Sequence, residues 1–177
     1  WECVTEVAPE IFNFPFLSER FVEFLCHVSD LHGNWRAECG DDFGAPELRL
    51  RKITPNLEKL LSQILYLHVN PILRVLYQGC YEIGWISPPF IINYNMATQR
   101  EMGLHYDGLS EVTLSVPLLG EASGGCLEFP RQDYCTEEVP LSSVLVFPGG
   151  PTHVHRARPI VRGQRKSLTI WTRSEEP

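Results

Sequence analysis

Residues 142–150, SSVLVFPGG, and residues 165–173, RKSLTIWTR, are short runs of β-branched and apolar residues broken by Pro and Gly, as strands that end in turns are. Three similar runs precede them: WISPPFIINYNM (85–96), EVTLSVPLL (111–119) and GGCLEFP (124–130). Strands of this length at this spacing predict a β sandwich or barrel from Tyr81 onward. Ahead of it the texture is helical. EIFNFPFLSERFVEFLCHVSDLHGNW (10–35) reads as a short extended piece and then a helix from about Ser18, with Phe21, Phe24, Leu25, Val28 and Leu31 at helical spacing and Gly33 as its stop. Thr54 and Pro55 open a second helical region as cap and first helical residue, with Leu57, Leu60, Leu61, Ile64 and Leu65 on one side, and Pro71 kinks or restarts it. Residues 37–50, rich in Gly, Asp and Glu, read as an exposed loop, and the helices are expected to cover one outer face of the β structure.

The composition is that of an ordinary globular chain: 177 residues, 44% hydrophobic and 21% charged. At that length a core forms without the help of metal or disulfides, so a bound metal is expected to serve chemistry. The most apolar region, 57–77, is interrupted by Glu58, Lys59, Gln63, His68, Asn70, Pro71 and Arg74. It falls short of the ~18 unbroken apolar residues of a membrane span, and the chain reads as soluble. Starting at Trp1 with no signal-type segment, it reads as a domain of a longer product. Net charge is −7, with six Lys or Arg against two acids after residue 140. An acidic body disfavours nucleic acid and favours a cationic partner, while the basic C-terminal part suits a small anion. The six cysteines show no zinc-type C-x2-C spacing. Cys126 and Cys135 could close a hairpin loop, and free buried thiols are the alternative.

The chemistry is sought first at His105-Tyr106-Asp107, where strand alternation puts His105 and Asp107 on one face within reach of one ion. By itself the triplet reads as a polar strand edge. A further imidazole from THVH (152–155) could complete two His and one carboxylate, a set that leaves coordination positions open and suits non-haem Fe(II) rather than a closed zinc site. In the last strand Arg165, Ser167, Thr169 and Trp171 share one face, and Lys166, Leu168 and Ile170 the other. Arg165 could grip a carboxylate bidentately with Ser167 beside it, or be a solvated surface residue. His27, His32 and His68, in or beside helices, have no carboxylate at metal spacing, and the Gly124-Gly125 and Gly149-Gly150 pairs read as turns.

These stretches resemble the Fe(II)- and 2-oxoglutarate-dependent dioxygenases, and within them the catalytic domain of the procollagen lysyl hydroxylases. NYNMATQREMGLHYDG (93–108) is similar to the family's segment with a Tyr, a Gln-Arg pair and the H-x-D. SGGCLEFPRQDYC (123–135) is similar to its Gly-Gly-Cys turn, and FPGGPTHVHRARPIVRGQRKSLTIW (147–171) to its Pro-Gly, Thr-His-x-His and Arg strand. FNFPFLSERFVEFL and GNW resemble its N-terminal helix. The resemblance implies a double-stranded β-helix, one domain over 1–177, with 1–80 as helical support and 81–177 as the core holding the site. It makes His105, Asp107 and His155 the metal ligands, since the family's 2-oxoglutarate Arg, here Arg165, lies ten residues beyond the distal His. His153 is the rival. Tyr94 and Ser167 would assist Arg165. The implied cofactors are Fe(II), 2-oxoglutarate, dioxygen and L-ascorbate as reductant. The implied activity is hydroxylation of a peptidyl lysine, as in collagen-like chains, in the endoplasmic reticulum lumen. Prolyl hydroxylation is the alternative, followed by an inactive peptide-binding module and, outside this family, a cupin using Zn or Mn. The chain departs from the lysyl hydroxylase pattern at Tyr106, where a second His is usual, at Ser115, where Asn is usual, and in the longer Cys126–Cys135 segment. Oligomeric state stays open.

Overall fold

Fourteen short strands and four helices make up the computed structural model, which describes residues 3–35, 45–120, 122–137 and 139–176. The chain opens with β1 (Thr5–Ala8), β2 (Ile11–Pro15), α1 (Glu19–His32), β3 (Glu47–Arg49), α2 (Leu50–Ile53), α3 (Pro55–Ile64) and α4 (Asn70–Leu76). It continues through β4 (Trp85–Ile86), β5 (Phe90–Asn95), β6 (Met102–His105), β7 (Val112–Gly120), β8 (Ser123–Gly124), β9 (Leu127–Phe129) and β10 (Tyr134–Cys135). It closes with β11 (Ser143–Pro148), β12 (His155–Ala157), β13 (Ile160–Arg162) and β14 (Gln164–Arg173).

A major sheet runs β1-β2-β11-β7-β14-β5-β3, with β4 on β14, and a minor sheet runs β10-β9-β12-β6. From β5 on, the chain passes between the two: β5 major, β6 minor, β7 major, β9 and β10 minor, β11 major, β12 minor, β14 major. Their facing sides meet through aromatic contacts, Phe129 of the minor sheet lying 4.8 Å from Phe147 of the major one. The other side of the major sheet is covered by the helices. Leu114, Val116, Leu168 and Ile170 pack in one core with Val22 and Leu25 of α1, Leu57 and Leu61 of α3 and Leu73 of α4. The architecture is strand-rich, as expected, with helices on one outer face.

The helix boundaries follow local chemistry. The Ser18 hydroxyl accepts the Phe21 N–H (3.2 Å), and Gly33 ends α1 in the left-handed region at φ 61°. Thr54 caps α3, with Pro55 in its first turn. Pro71, which cannot donate a helical hydrogen bond, is absorbed by a π-helical turn at Leu65–Val69 between α3 and α4.

Three expectations need correction. The buried face of α1 is Val22, Leu25 and Ser29, whereas Phe24 and Leu31 face solvent, because Ser29 sits at the sheet contact and takes a hydrogen bond from Lys166. On α3, Leu60 is likewise exposed. Residues 47–50 are not loop: Glu47–Arg49 pairs with β5 and runs directly into α2 at Leu50, while Ala45 and Pro46 are irregular as expected. The remainder of that expected loop, 37–44, lies outside the described residues, as do Trp1 and Cys39. The first 80 residues thus contribute three strands as well as helices.

Candidate active site

His105 ends β6 and His155 begins β12, directly opposite each other in the minor sheet, so the antiparallel register brings the two imidazoles together with ring centres 4.4 Å apart. Asp107, two residues past His105, falls on the same side. Its Oδ1 lies 3.8 Å from His105 Nε2 and its Oδ2 3.7 Å from His155 Nε2. One ligand atom from each of the three lies within 4.8 Å of the others. Both imidazoles are aimed by the same device. His105 Nδ1–H donates to the Gly103 carbonyl (2.8 Å) and His155 Nδ1–H to the His153 carbonyl (3.0 Å). A carbonyl can only accept, so Nδ1 carries a proton, and it is Nε2 of each ring that faces the cluster, free to ligate in the neutral tautomer.

Asp107 is buried and accepts a hydrogen bond from the Thr113 hydroxyl (2.7 Å), which ties it to the major sheet. His155 is buried against Phe129 and Phe147, and burial lowers its pKa more than the Asp107 charge raises it. Two imidazole nitrogens and one carboxylate, converging on one side only, fit a divalent ion and leave positions open to other ligands. Among the described residues, Cys126, Cys135 and Glu137 also come within ligand reach of one another, but those thiols are joined as a disulfide.

His153 does not join the cluster. Its Nε2–H donates to the Pro9 carbonyl (3.1 Å) and its Nδ1 accepts from the Thr152 hydroxyl (3.0 Å), so both nitrogens are engaged where the N-terminal strands meet the 151–153 turn.

Arg165 lies opposite Tyr94 across β14 and β5, its guanidinium 6.0 Å from the Tyr94 ring centre. Ser167, Thr169 and Trp171 continue along the same face, and all of them border the cavity of about 750 Å³ that also holds His105, Asp107 and His155. The opposite face behaves as its alternation requires: Leu168 and Ile170 enter the helical core, and Lys166 donates to Ser29 and to Asp30 (2.5 Å). Burial pushes the Tyr94 phenol up to about 12, against the opposing pull of Arg165, so it remains a hydrogen-bond donor at neutral pH. Burial likewise lowers the Arg165 pKa, with Tyr94 opposing. Arg165 also borders a second cavity of about 410 Å³ near Cys126.

Sequence reasoning missed Thr113, whose contact with Asp107 depends on how β7 returns beneath the H-x-D turn. It also missed Glu47 and Arg49, which line the cavity from β3 and form an ion pair (3.0 Å). The alternation of polar and apolar residues in Glu47-Leu48-Arg49 was the available signal.

No family model matches the chain. It is 27% identical over 180 residues to the procollagen lysyl hydroxylase and glycosyltransferase of Acanthamoeba polyphaga mimivirus, covering 94% of this chain and 20% of that protein. It is 26% identical over 175 residues to the procollagen-lysine,2-oxoglutarate 5-dioxygenase 2 of Mus musculus (92% and 23%). It is 32% identical over 132 residues to the 2-oxoglutarate and iron-dependent oxygenase domain-containing protein 2 of Mus musculus (69% and 34%). The chain thus spans between a fifth and about a third of the length of these relatives. Among solved structures it superposes on the viral collagen prolyl hydroxylase of Paramecium bursaria Chlorella virus-1 with TM-score 0.71 at 16% identity, over 95% of this chain and 99% of that one. It superposes on a Pseudomonas putida prolyl-4-hydroxylase with TM-score 0.64 at 18% identity (93% and 92%). The chain is thus similar in sequence, over most of its length, to proteins named for 2-oxoglutarate-dependent lysine hydroxylation, and it shares its fold with solved 2-oxoglutarate and Fe(II) oxygenases.

Proposed function

We propose that the chain is a double-stranded β-helix oxygenase that uses Fe(II), 2-oxoglutarate and dioxygen to hydroxylate a protein side chain. The observation that carries this reading is the convergence of His105, Asp107 and His155 in the same cavity as the Arg165–Tyr94 pair. His105 and His155 would ligate through Nε2 and Asp107 through its carboxylate. When bound, Fe(II) supplies the redox chemistry by which 2-oxoglutarate, dioxygen and a C–H bond become succinate, carbon dioxide and C–OH.

The chain's own residues orient and enclose. Arg165 takes the distal carboxylate of 2-oxoglutarate through charge-assisted hydrogen bonds, with the protonated Tyr94 phenol and the Ser167 hydroxyl as further donors. Thr113 fixes the Asp107 carboxylate, and Phe129 and Phe147 keep water from the back of His155. The substrate we favour is a peptidyl lysine, because the relatives similar over nearly the whole chain include those named for procollagen lysine. Peptidyl proline is the second reading, favoured by the fold likeness to prolyl hydroxylases. Ascorbate as reductant and the endoplasmic reticulum lumen as location belong to the same proposal. Among the described residues no helix is long and apolar enough to cross a membrane.

Anaerobic addition of Fe(II) and 2-oxoglutarate should produce a weak visible charge-transfer band. Admitting air with Lys- or Pro-containing peptides should then release succinate and add one oxygen to one peptide class by mass spectrometry. Absence of both the band and succinate would overturn the reading, whereas succinate release excludes an inactive binding module.

A further inference from the structure

Leu104, Tyr106 and Leu109 interleave in the chain with His105 and Asp107, and their exposures are 53%, 52% and 55% at the opening of the cavity they help to line. Scattered exposed leucines are ordinary, but three large apolar side chains gathered on one rim mark a contact surface. This rim is braced. Ser110 N–H donates to the Asp107 carbonyl (2.8 Å), Gly108 N–H to the Tyr106 carbonyl (3.1 Å), and the Ser110 hydroxyl accepts the Thr172 N–H (3.3 Å). Gly149 packs so closely behind it that a β-carbon there would stand 2.3 Å from the Ser110 carbonyl oxygen. On the major-sheet side the same cavity is lined by Phe90 and Trp171, in edge contact at 5.1 Å.

We propose that Leu104, Tyr106 and Leu109 form a docking lip for an extended segment of the protein substrate whose residues next to the reacting one are apolar and uncharged. The inference rests on the protein-hydroxylase reading of the site. Its chemistry follows from the lip itself: three side chains without charge would strip water from a charged neighbour and offer it no counter-charge. The lip is also continuous with the cavity, so one chain can insert its reacting side chain and lay its neighbours on the rim. A second copy of the chain is a poorer occupant, since both copies carry a net charge of −7.

The test uses fluorescein-labelled peptides of Gly and Ala with one central Lys or Pro, and matched peptides with Asp on both sides of that residue. They are titrated by fluorescence anisotropy into the protein with Mn(II) and 2-oxoglutarate. The uncharged-flank peptide should bind about tenfold more tightly than its Asp-flanked match. Leu104→Ser combined with Leu109→Ser, both at exposed positions, should weaken it about tenfold and erase the preference, and Tyr106→Ser alone should act in the same direction. Calorimetry of 2-oxoglutarate with the Mn(II)-loaded wild type separates the two claims. Failure to bind 2-oxoglutarate overturns the site reading. Normal 2-oxoglutarate binding with peptide affinity unmoved by the lip variants overturns the lip. So does a wild-type dimer that the lip variants dissolve in sedimentation while peptide affinity stays unchanged, because the occupant is then a second copy.

Discussion

His153 and His155 are two residues apart and of the same residue type, and the structure gives them different surroundings. His155 Nε2 faces Asp107, whereas His153 spends both nitrogens on Pro9 and Thr152. His155→Ala should therefore abolish Mn(II) binding followed by calorimetry. His153→Ala should retain it and instead lower stability by about 1–3 kcal/mol in urea unfolding, through loss of the buried imidazole and its hydrogen bonds to Pro9 and Thr152. Arg165→Ala should raise the 2-oxoglutarate requirement on the order of a hundredfold in steady-state kinetics while moving the iron requirement far less. Tyr94 carries a pH dependence. Its folded pKa is raised from the usual 10 to about 12, so its contribution to stability is complete below pH 10 and is lost as pH climbs through about 12. Alkaline unfolding of Tyr94→Phe should lack that share of the loss. At this scale much was legible, because parity alone places His105 with Asp107 and Arg165 with Ser167, and the structure gathers all four around one cavity. Thr113 was not, since its partner lies on another sheet and no local pattern encodes that meeting.

Among the elements, β9 and β10 are very short, and their hairpin is closed by the Cys126–Cys135 disulfide across nine residues. Cys126→Ser with Cys135→Ser should lower stability by about 2–3 kcal/mol, the loop-closure entropy of so small a ring, as read by urea unfolding of the oxidised wild type against the variant. The hairpin was legible as a possibility from spacing, but pairing requires the two strands to be neighbours. α1 shows the opposite limit. Its caps at Ser18 and Gly33 are local chemistry and could be read in the sequence, whereas its buried face is set by Ser29 and Asp30 meeting Lys166 across 136 residues of chain. β3 was misread because Gly and acidic residues just before it suggest a loop. Its strand character comes from pairing with β5, a tertiary effect that outweighs local composition.

For the whole molecule, ligands that bind only the folded state raise stability by mass action. With Mn(II) and 2-oxoglutarate each near a hundred times its dissociation constant, each should contribute about 2.7 kcal/mol, seen as a rise in Tm of about 5–10 °C per ligand. Arg165→Ala should lose the increment from 2-oxoglutarate and keep that from Mn(II), and a chelator should remove both. The helices buttress one side of the major sheet and leave the other to the cavity, so denaturants should act on the site only through the sheets that carry it.

The two carbonyls that pin His105 and His155, from Gly103 and His153, set both rings before anything arrives. A site so prearranged captures quickly but discriminates little: cobalt, nickel and zinc prefer the same nitrogen and oxygen donors at least as strongly as ferrous iron does. Purity of loading then becomes a matter of supply. Protein produced where those competitors are abundant should carry them, fold normally, and stay idle until they are stripped and exchanged.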